Sequence, residues 1–472
     1  MTQGNEAPPT SAATSGEDVS QFGYEQQLER ALTLKDLIIY GLLFMVIVAP
    51  FSIFGQVHDA SFGMTPFVYL VGLVAMLFTA LSYAAMSRKF PMAGSVYTYV
   101  QRGLNPHIGF VAGWLILIDY LLIPALLYSF CGVWMHGLIP ATPGWMWVII
   151  LVVINTTISF LGIKFTAAVD WVFFAVEIFA FAAFMVVGIL YLSKHGLGTG
   201  VSSWIEPIFD AKHINLGFIA SAASIACLSF LGFDGISTLA EETKKPEKTV
   251  GKATFLSLLF IGLIFIASTW VGELAQGKSY VKVGSDAETN LFFTMAKHIG
   301  GPGLYWIVFP VVIIASGIPN ALAAQSAVTR ILFSMARDGL MPKPMGKLHS
   351  RFKSPYISLF VVAILTLACS FLGPNQLVRL VNFGGLSSFI VLNFAVFWYF
   401  FIREGQRHSF KQWVRYLLCP FIGMAILIFV WTGFPGLTKI VGLSWLVIGI
   451  IIGAIQSKGY KKVPPAFDGL NG

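Results

Sequence analysis

Residues 229–235, SFLGFDG, interrupt a hydrophobic segment that runs from about 216 to 239, and residues 48–52, VAPFS, interrupt another that runs from about 37 to 57. Glycine costs backbone entropy and proline removes a backbone donor, so neither favours an unbroken helix. In hydrocarbon, a freed peptide group is costly unless a polar partner meets it. Because the two segments lie five segments apart, they predict a matched pair of broken spans around a polar cavity at the midplane, as in a carrier.

The composition is typical of an integral membrane protein. Charged residues make up 11% of the 472 residues, hydrophobic residues make up 56%, and the mean hydropathy is +0.78. Soluble domains contain roughly 25% charged residues. We predict an all-α fold with a polar, disordered cytoplasmic tail at 1–30, one membrane domain at 31–456 and a cytoplasmic tail at 457–472. The twelve predicted transmembrane helices lie at about 35–57, 64–86, 107–136, 145–163, 166–192, 214–240, 252–274, 303–333, 355–373, 377–402, 412–432 and 437–456.

The positive charges are distributed unevenly. With both termini inside, the inner loops and tails contain all but seven of the 30 Lys and Arg residues. This is the positive-inside pattern, and it places both termini in the cytoplasm. The net charge of +8 therefore indicates membrane orientation, and we expect no nucleic-acid partner.

No motif predicts an enzyme, a metal site or a cofactor. The four cysteines lie in apolar surroundings without a CxxC pattern, and the eight histidines are scattered. Phosphate-binding, HExxH and GxSxG motifs are missing from suitable contexts. We expect any pumping to draw on ion or solute gradients.

Several motifs occur in a fixed order along the chain. They are FPMAGSVYTY at 90–99, NPHIGF at 105–110, DY at 119–120, SFLGFD at 229–234, EETKKP at 241–246 and RILFSMARDGLMP at 330–342. Together they resemble the amino acid–polyamine–organocation permeases, and most closely the bacterial putrescine importers within that family. The resemblance covers about residues 30 to 460.

This resemblance implies secondary active transport and a fold of two inverted five-helix repeats (LeuT-like). The repeats would cover about 35–192 and 214–402, with two extra helices at about 412–456. It also implies a substrate site between broken spans 1 and 6, flanked by spans 3 and 8. The breaks agree with this implication, since each falls in the first helix of a repeat.

The first break departs from the family pattern. Many amino acid permeases have a glycine-rich run there, whose amides bind the substrate α-carboxylate, but this chain has Ala49, Pro50, Phe51 and Ser52. Since Pro50 has no amide hydrogen, a carboxylate would bind less well. The site therefore favours substrates without a carboxylate, although the helix end in span 6 could still hold one.

Two carboxylates and their neighbours are candidate substrate contacts. A charge at the bilayer centre costs about 2.5–3.5 kcal/mol on insertion scales, so each needs a reason. Asp119 and Tyr120 lie in span 3, where the resemblance makes Tyr120 a candidate contact; the alternative is a capped Asp beside a packing Tyr. Asp234 follows the span 6 break beside Ser229 and Gly232, and could hold an ammonium group, receive a proton or bind backbone amides.

Two acids in span 5 are candidates for ion coupling. Asp170 and Glu177 are seven residues apart and share a helical face. Glu177 aligns with the position where some proton-coupled relatives carry a lysine, which implies a protonatable or cation site. Pairing with a loop or with Lys164 is the alternative and suits Asp170 better.

Aromatic and polar residues complete the predicted site. Phe230 and Phe233 lie on the span 6 break and are candidate gates. Asn320, beside Pro319 in span 8, is the predicted polar contact. We expect Trp134 to lie in an interfacial aromatic belt. At the inner mouth, a solvated ion-paired loop and the span 8 arginines are expected to bias the conformational states. These residues are Glu241, Glu242, Lys244, Lys245, Lys248, Arg330 and Arg337.

The sequence thus predicts an importer of a putrescine-like polyamine or an amino acid in the bacterial inner membrane, coupled to protons or to sodium. The alternative is an amino acid symporter or an amino acid/amine exchanger on the same fold. A channel would show repeated pore segments, and an enzyme would show a nucleophile or metal cluster. The lipid bilayer and the small-molecule substrate are the expected partners. The exact substrate, the coupling ion and the oligomeric state stay open.

Overall fold

The computed structural model describes residue 28 and residues 30–161, 163–211, 214–280 and 286–461, except the side chains of 163–170, 286, 289, 374–376, 378 and 379. The described residues contain helices and no β-strand; one isolated bridge joins Leu32 and Thr243. The helices are α1 (Leu34–Met45), α2 (Ala49–Ala60), α3 (Thr65–Lys89), α4 (Ser95–Gly103), α5 (Pro106–Leu138), α6 (Gly144–Phe160), α7 (Ile163–His195), α8 (Leu216–Ala226), α9 (Pro246–Gln276), α10 (Asp286–Thr289), α11 (Leu291–Ala315), α12 (Ala321–Arg337), α13 (Tyr356–Ser370), α14 (Pro374–Val396), α15 (Phe410–Trp413), α16 (Cys419–Thr432) and α17 (Gly436–Gln456).

The helices have the length and composition of membrane spans. Among the described residues, nine helical segments are long and apolar enough to cross a membrane. The pair α1 and α2 passes the same test jointly, with a bend of 42° between its halves. Helices α6 and α13 are shorter and apolar. The all-helical membrane class predicted from composition is confirmed.

Two stretches that the sequence predicts as loops are helical. Helix α4 follows span 2, and the segment of span 8 begins at Leu291, before the predicted start at 303. A kink at Gly301, with φ of 64°, separates this added part from the rest of α11. A left-handed glycine usually ends a helix, and a proline commonly begins the next one. Gly301 and Pro302 therefore resemble a boundary between two helices, although the chain only bends there.

Non-α segments occur in the middle of two spans. In span 6, 3₁₀-helices Cys227–Phe230 and Phe233–Glu242 follow α8. In span 8, a π-helix at Ser316–Asn320 connects α11 to α12 and contains Pro319. Proline has no amide to donate, so the helix widens locally there. These segments and the gap between α1 and α2 face one another across the bundle.

The bundle is held by direct helix packing around this centre. Helix α3 packs along α9, and α5 packs along α14. The segment before α1 also docks on the bundle, because the amides of Ala31 and Leu32 donate to the carbonyl of Glu242. Leu28 is buried as well. Of the predicted N-terminal tail, residues 1–27 and 29 lie outside the described residues, as do residues 462–472 of the C-terminal tail.

Candidate functional site

The break in span 1 lies just upstream of the predicted one. Helix α1 ends at Met45, and Val46 adopts φ of 56°, a conformation that a β-branched residue rarely takes. The break covers residues 46–48 and overlaps the predicted stretch 48–52 at Val48 alone. Pro50 is the second residue of α2, where its missing amide would have no intrahelical partner anyway. The proline therefore starts the second half-helix and does not itself unwind the chain.

The break in span 6 lies inside the predicted stretch. Leu231 is extended, and Gly232 has φ of 115°. A Cβ at Gly232 would lie 2.7 Å from the Phe44 ring, so glycine is required by conformation and by space. Phe44 belongs to α1, next to the first break. The two breaks therefore contact each other, as the paired interruptions predicted.

A cavity of about 70 Å³ lies between the breaks. It has room for a few water molecules, since one water needs about 10–15 Å³. Four predicted site residues line it: Ala49, Ser52, Ser229 and Asn320. The remaining lining residues come from spans 1, 3, 6 and 8 and are mostly apolar. They are Phe44, Met45, Val46, Ile53, Ile123, Leu126, Leu127, Phe130, Trp134, Leu228, Leu231 and Ser316.

The cavity has few polar groups. These are the hydroxyls of Ser52, Ser229 and Ser316, the side-chain amide of Asn320 and the indole N–H of Trp134. The side-chain oxygen of Asn320, Oδ1, is buried and accepts no hydrogen bond from the described residues. Trp134 is buried and lines the cavity, so its expected place in an interfacial belt is wrong. The apolar sequence around Trp134 did not distinguish this inward position from an interfacial one.

Other predicted site residues are packed away from the cavity. The Phe51 ring stacks on Phe292 with centroids 3.9 Å apart. Phe230 packs between Tyr69 and Phe265, at 5.9 and 5.3 Å. Neither phenylalanine lines the cavity, and Pro50 is buried without lining it.

The second predicted gate, Phe233, lies in the packed core as well. Its ring contacts Tyr83 at 5.6 Å and Phe389 at 5.2 Å. Phe44, which no sequence pattern singled out, lines the cavity instead. The gating roles of Phe230 and Phe233 stay predictions.

Asp234 is the centre of a buried hydroxyl cluster. Its Oδ2 accepts hydrogen bonds from the hydroxyls of Tyr120, Tyr83 and Ser95, the last two at 3.4 Å. The Phe44 ring lies 5.8 Å from the Tyr120 ring in an edge arrangement. Three donors on one oxygen can stabilise an ionised carboxylate in an apolar site. Tyr120 thus donates its hydrogen bond to Asp234 and not to its chain neighbour Asp119.

Asp119 is buried without a matching donor. Its side chain is 1% exposed, and none of the described residues donates a hydrogen bond to it. A Cβ built on Gly385 would lie 2.7 Å from Asp119 Oδ2 and 2.8 Å from the Leu231 side chain, so the carboxyl group lies beside a cavity-lining residue. Ile123, one turn further along α5, also lines the cavity. An ionised group in this position requires a cation, and otherwise the group must hold a proton.

Glu177 forms a hydrogen bond with the backbone of the first break. Its Oε2 accepts a hydrogen bond from the Ile47 amide at 2.8 Å, and the side chain is 1% exposed. This amide is one that the unwound chain leaves without a helical partner, which explains the contact. The side chain of Asp170, the other predicted coupling residue, lies outside the described residues.

A second buried pair, which no sequence prediction included, lies near the C-terminal ends of α2 and α9. His58 Nδ1 is 2.6 Å from Glu273 Oε2, and Thr65 donates to the other oxygen of Glu273. Both charged side chains are buried. The signal was present, because Glu273 is a carboxylate inside the predicted span 252–274.

Ion pairs connect the end of the second 3₁₀-helix of span 6 to α12 in span 8. Arg337 donates to both oxygens of Glu241, at 3.0 and 2.9 Å, and Arg330 donates to Glu242 at 2.5 Å. Glu241 also accepts from the Ala93 amide at 3.1 Å. Both glutamates are buried, so the expected solvated loop is wrong for them. It holds for the exposed Lys244, Lys245 and Lys248.

Comparison with known proteins agrees with this architecture. A family model described as amino acid permease matches residues 39–441. The low-affinity putrescine importer PlaP of Escherichia coli K12 is 31% identical over 94% of this chain and 97% of its own. The branched-chain amino acid permease BcaP of Bacillus subtilis is 27% identical over 96% of each chain. A probable polyamine transporter of Arabidopsis thaliana is 25% identical over 73% of this chain and 67% of its own. The chain therefore belongs to the amino acid permease family.

Proposed function

We propose that this permease imports a putrescine-like polyamine across the bacterial plasma membrane by alternating access. The observation that supports this most is the buried Asp119 carboxyl group, which receives no hydrogen bond from the described residues and lies beside the cavity wall. An ammonium group of a diamine is the chemical complement of such a carboxylate. The similarity to a putrescine importer along 94% of the chain points the same way.

The proposed topology has twelve spans and cytoplasmic termini. The nine long segments, the bent pair and the two shorter apolar helices supply that number. The broken helices α1–α2 and α8 with its 3₁₀ continuation would be the first helices of two inverted repeats, which are built on such discontinuous spans. The excess of Lys and Arg in alternate loops supports the cytoplasmic placement of both ends.

The substrate would bind with its two ammonium groups on different elements. One would reach Asp119 after Leu231 moves aside, and the other would lie among Ser52, Ser229 and Asn320, with Ala49 allowing close approach. Because Pro50 has no backbone N–H, this end of α2 would offer one donor fewer, which disfavours a carboxylate there. Among the described residues no cation lines the cavity, so nothing in it repels a diamine.

In the state that first binds substrate, the Asp234 cluster would not contact it. The cluster would respond to binding through Tyr120. Tyr120 connects Asp234 to the same turn of α5 that contains Asp119. Movement of the Phe44 ring would join the cavity to this cluster, and Phe230 and Phe233 would repack as the 3₁₀ segment rotates around Gly232. Rotation of the half-helices would then separate Glu241 from Arg337 and open the inner end.

Energetics permit import of a dication with or without coupling. Two charges that move inward down about 100 mV gain about 4.6 kcal/mol, which supports more than a thousandfold accumulation. Glu177 is the proposed coupling residue, because protonation would remove the charge that holds the Ile47 amide and loosen the first break. Proton coupling is therefore proposed, with sodium as the alternative and Asp170 as a second acid on the same helix.

An amino acid symporter or amino acid/amine exchanger is the second candidate. The family description and the branched-chain permease among the relatives favour it. An α-amino acid would place its amino group near Asp119 and its carboxylate at the first turn of α2. Since it gains nothing from the membrane potential, its accumulation would depend on a coupled ion.

The test is uptake of radiolabelled putrescine in cells that lack their own importers, with Asp119→Asn as the variant and Glu404→Gln as a surface control. Loss of one charge-assisted contact of about 1.5–3 kcal/mol predicts an apparent affinity about 10–150-fold weaker. The control should match wild type. Unchanged putrescine affinity in Asp119→Asn, or competition by neutral amino acids in place of putrescine, would refute the polyamine proposal.

A further inference from the structure

A second and larger cavity lies away from the transport site. It has a volume of about 750 Å³ and is bordered by the inner ends of α3 and α9 and by the segment from α15 to α16. Pockets that hold whole small molecules are about 300–1,000 Å³. This cavity opens at the surface of the bundle, where Leu81, Arg88, Lys252 and Phe410 are exposed.

The rim of this cavity is basic. Arg88, Lys248, Lys252, Lys411 and Arg415 line it. Each of the three helical elements supplies at least one of these cations, and the pairs on α9 and on the α15–α16 segment are each four residues apart, on one helical face. No carboxylate among the described residues forms an ion pair with any of the five.

A single acid accompanies these cations. Glu247 also lines the cavity, so the described charged groups of the rim leave an excess of four positive charges. Arg415 lies over the Tyr416 ring at 5.4 Å and has no ion-pair partner among the described residues. Such a concentration of unneutralised cations calls for an anionic occupant.

The floor of the cavity is apolar. Leu81, Ala84, Phe255 and Leu256 form it, and the exposed Phe410 lies at its edge. At Gly251 the two helices meet directly, because a Cβ there would lie 2.6 Å from the Ala84 Cα. This close approach shapes the floor and leaves the groove between α3, α9 and α16 for another molecule.

We propose that this cavity binds one anionic phospholipid of the leaflet at this end of the bundle. The phosphate would lie among the five cations, and the acyl chains would lie on the apolar floor. Basic pockets between membrane helices on the cytoplasmic side suit anionic headgroups. Only the choice of leaflet rests on the proposed orientation, and the lipid site is independent of the transported substrate.

The test is native mass spectrometry of the full chain purified in an uncharged detergent. Phosphatidylglycerol and phosphatidylcholine with identical acyl chains are titrated against wild type, against Lys252→Gln/Lys411→Gln/Arg415→Gln, and against a control that removes three exposed loop lysines at the same end. The control is Lys343→Gln/Lys347→Gln/Lys353→Gln.

Each cation near an anionic headgroup strengthens affinity about fivefold (about 1 kcal/mol), so the cavity variant should bind phosphatidylglycerol about a hundredfold more weakly. The control variant should stay within about fivefold of wild type, and phosphatidylcholine should bind weakly to all three. Melting temperatures measured without lipid test whether each variant folds. If the triple cavity variant does not fold, the single variant Lys252→Gln takes its place. Equal loss in both triple variants, equal binding of the two lipids, or equal stabilisation by inorganic phosphate alone would overturn the proposal.

Discussion

Glu241→Gln should open the inner end of the transporter. The two contacts of Glu241 with Arg337, at 3.0 and 2.9 Å, form a bidentate pair, and Glu241 is 1% exposed. Charge-assisted hydrogen bonds contribute about 1.5–3 kcal/mol each. A glutamine retains one acceptor oxygen, so we expect a net loss of about 2 kcal/mol from the closed state. If the pair is broken in the inward-open state, its population rises about 30-fold.

The assay is cysteine labelling at Ser334, which is buried one turn before Arg337. In a Cys369→Ser/Cys419→Ser background, Ser334→Cys is reacted with a membrane-impermeant maleimide in inside-out vesicles. Glu241→Gln should raise the labelling rate about 30-fold, and the surface change Glu404→Gln should leave it unchanged. An unaltered rate in a folded Glu241→Gln protein would show that the ion pair does not hold the closed state.

Three further outcomes are expected. Tyr120→Phe removes a hydrogen bond to Asp234, and because Tyr120 does not line the cavity it should lower the maximal rate of uptake several-fold more than it raises the apparent substrate constant; the reverse would place Tyr120 in direct contact with the substrate. Glu177→Gln should flatten the pH dependence of uptake while keeping protein abundance, and an unchanged profile would argue against coupling there. Lys278, just after α9, holds the pKa of Glu206 at about 2. That lowered pKa stabilises the fold above the ordinary value of 4.5 and is lost as the pH falls towards 2. Lys278→Gln should therefore lower the melting temperature slightly at pH 6, by no more than about 2 °C, and less at pH 3; an equal difference at both pH values would contradict it.

The sequence predicted the existence of the breaks better than their positions. Gly232 marked the second break because its left-handed backbone and its contact with Phe44 both exclude a side chain. Pro50 misplaced the first break, since proline is tolerated at the start of a helix as well as at its interruption. The break begins at Val46, a residue type that does not predict a left-handed conformation, and the next amide, of Ile47, is bound by Glu177 from 130 residues away.

The site residues were predictable one at a time but not as partners. Asp119, Tyr120 and Asp234 stand out as polar groups in apolar spans, yet only the fold shows that Tyr120 bonds to a residue 114 positions away. Aromatic residues do not stand out in this way, because their neighbours in the sequence are apolar as well. Phe44 and Trp134 line the cavity while Phe230 and Phe233 pack in the core, and all four lie in similar apolar sequence.

The central claim is that substrate binds in the cavity between the two broken helices. The direct test is equilibrium binding of radiolabelled putrescine to the purified protein, with Ser52→Leu to fill the cavity of about 70 Å³ and Ser444→Leu on the exposed face of α17 as its control. Wild type and the control should show saturable binding, and Ser52→Leu should show none while its melting temperature stays near that of wild type. Wild-type binding by folded Ser52→Leu protein would contradict the account.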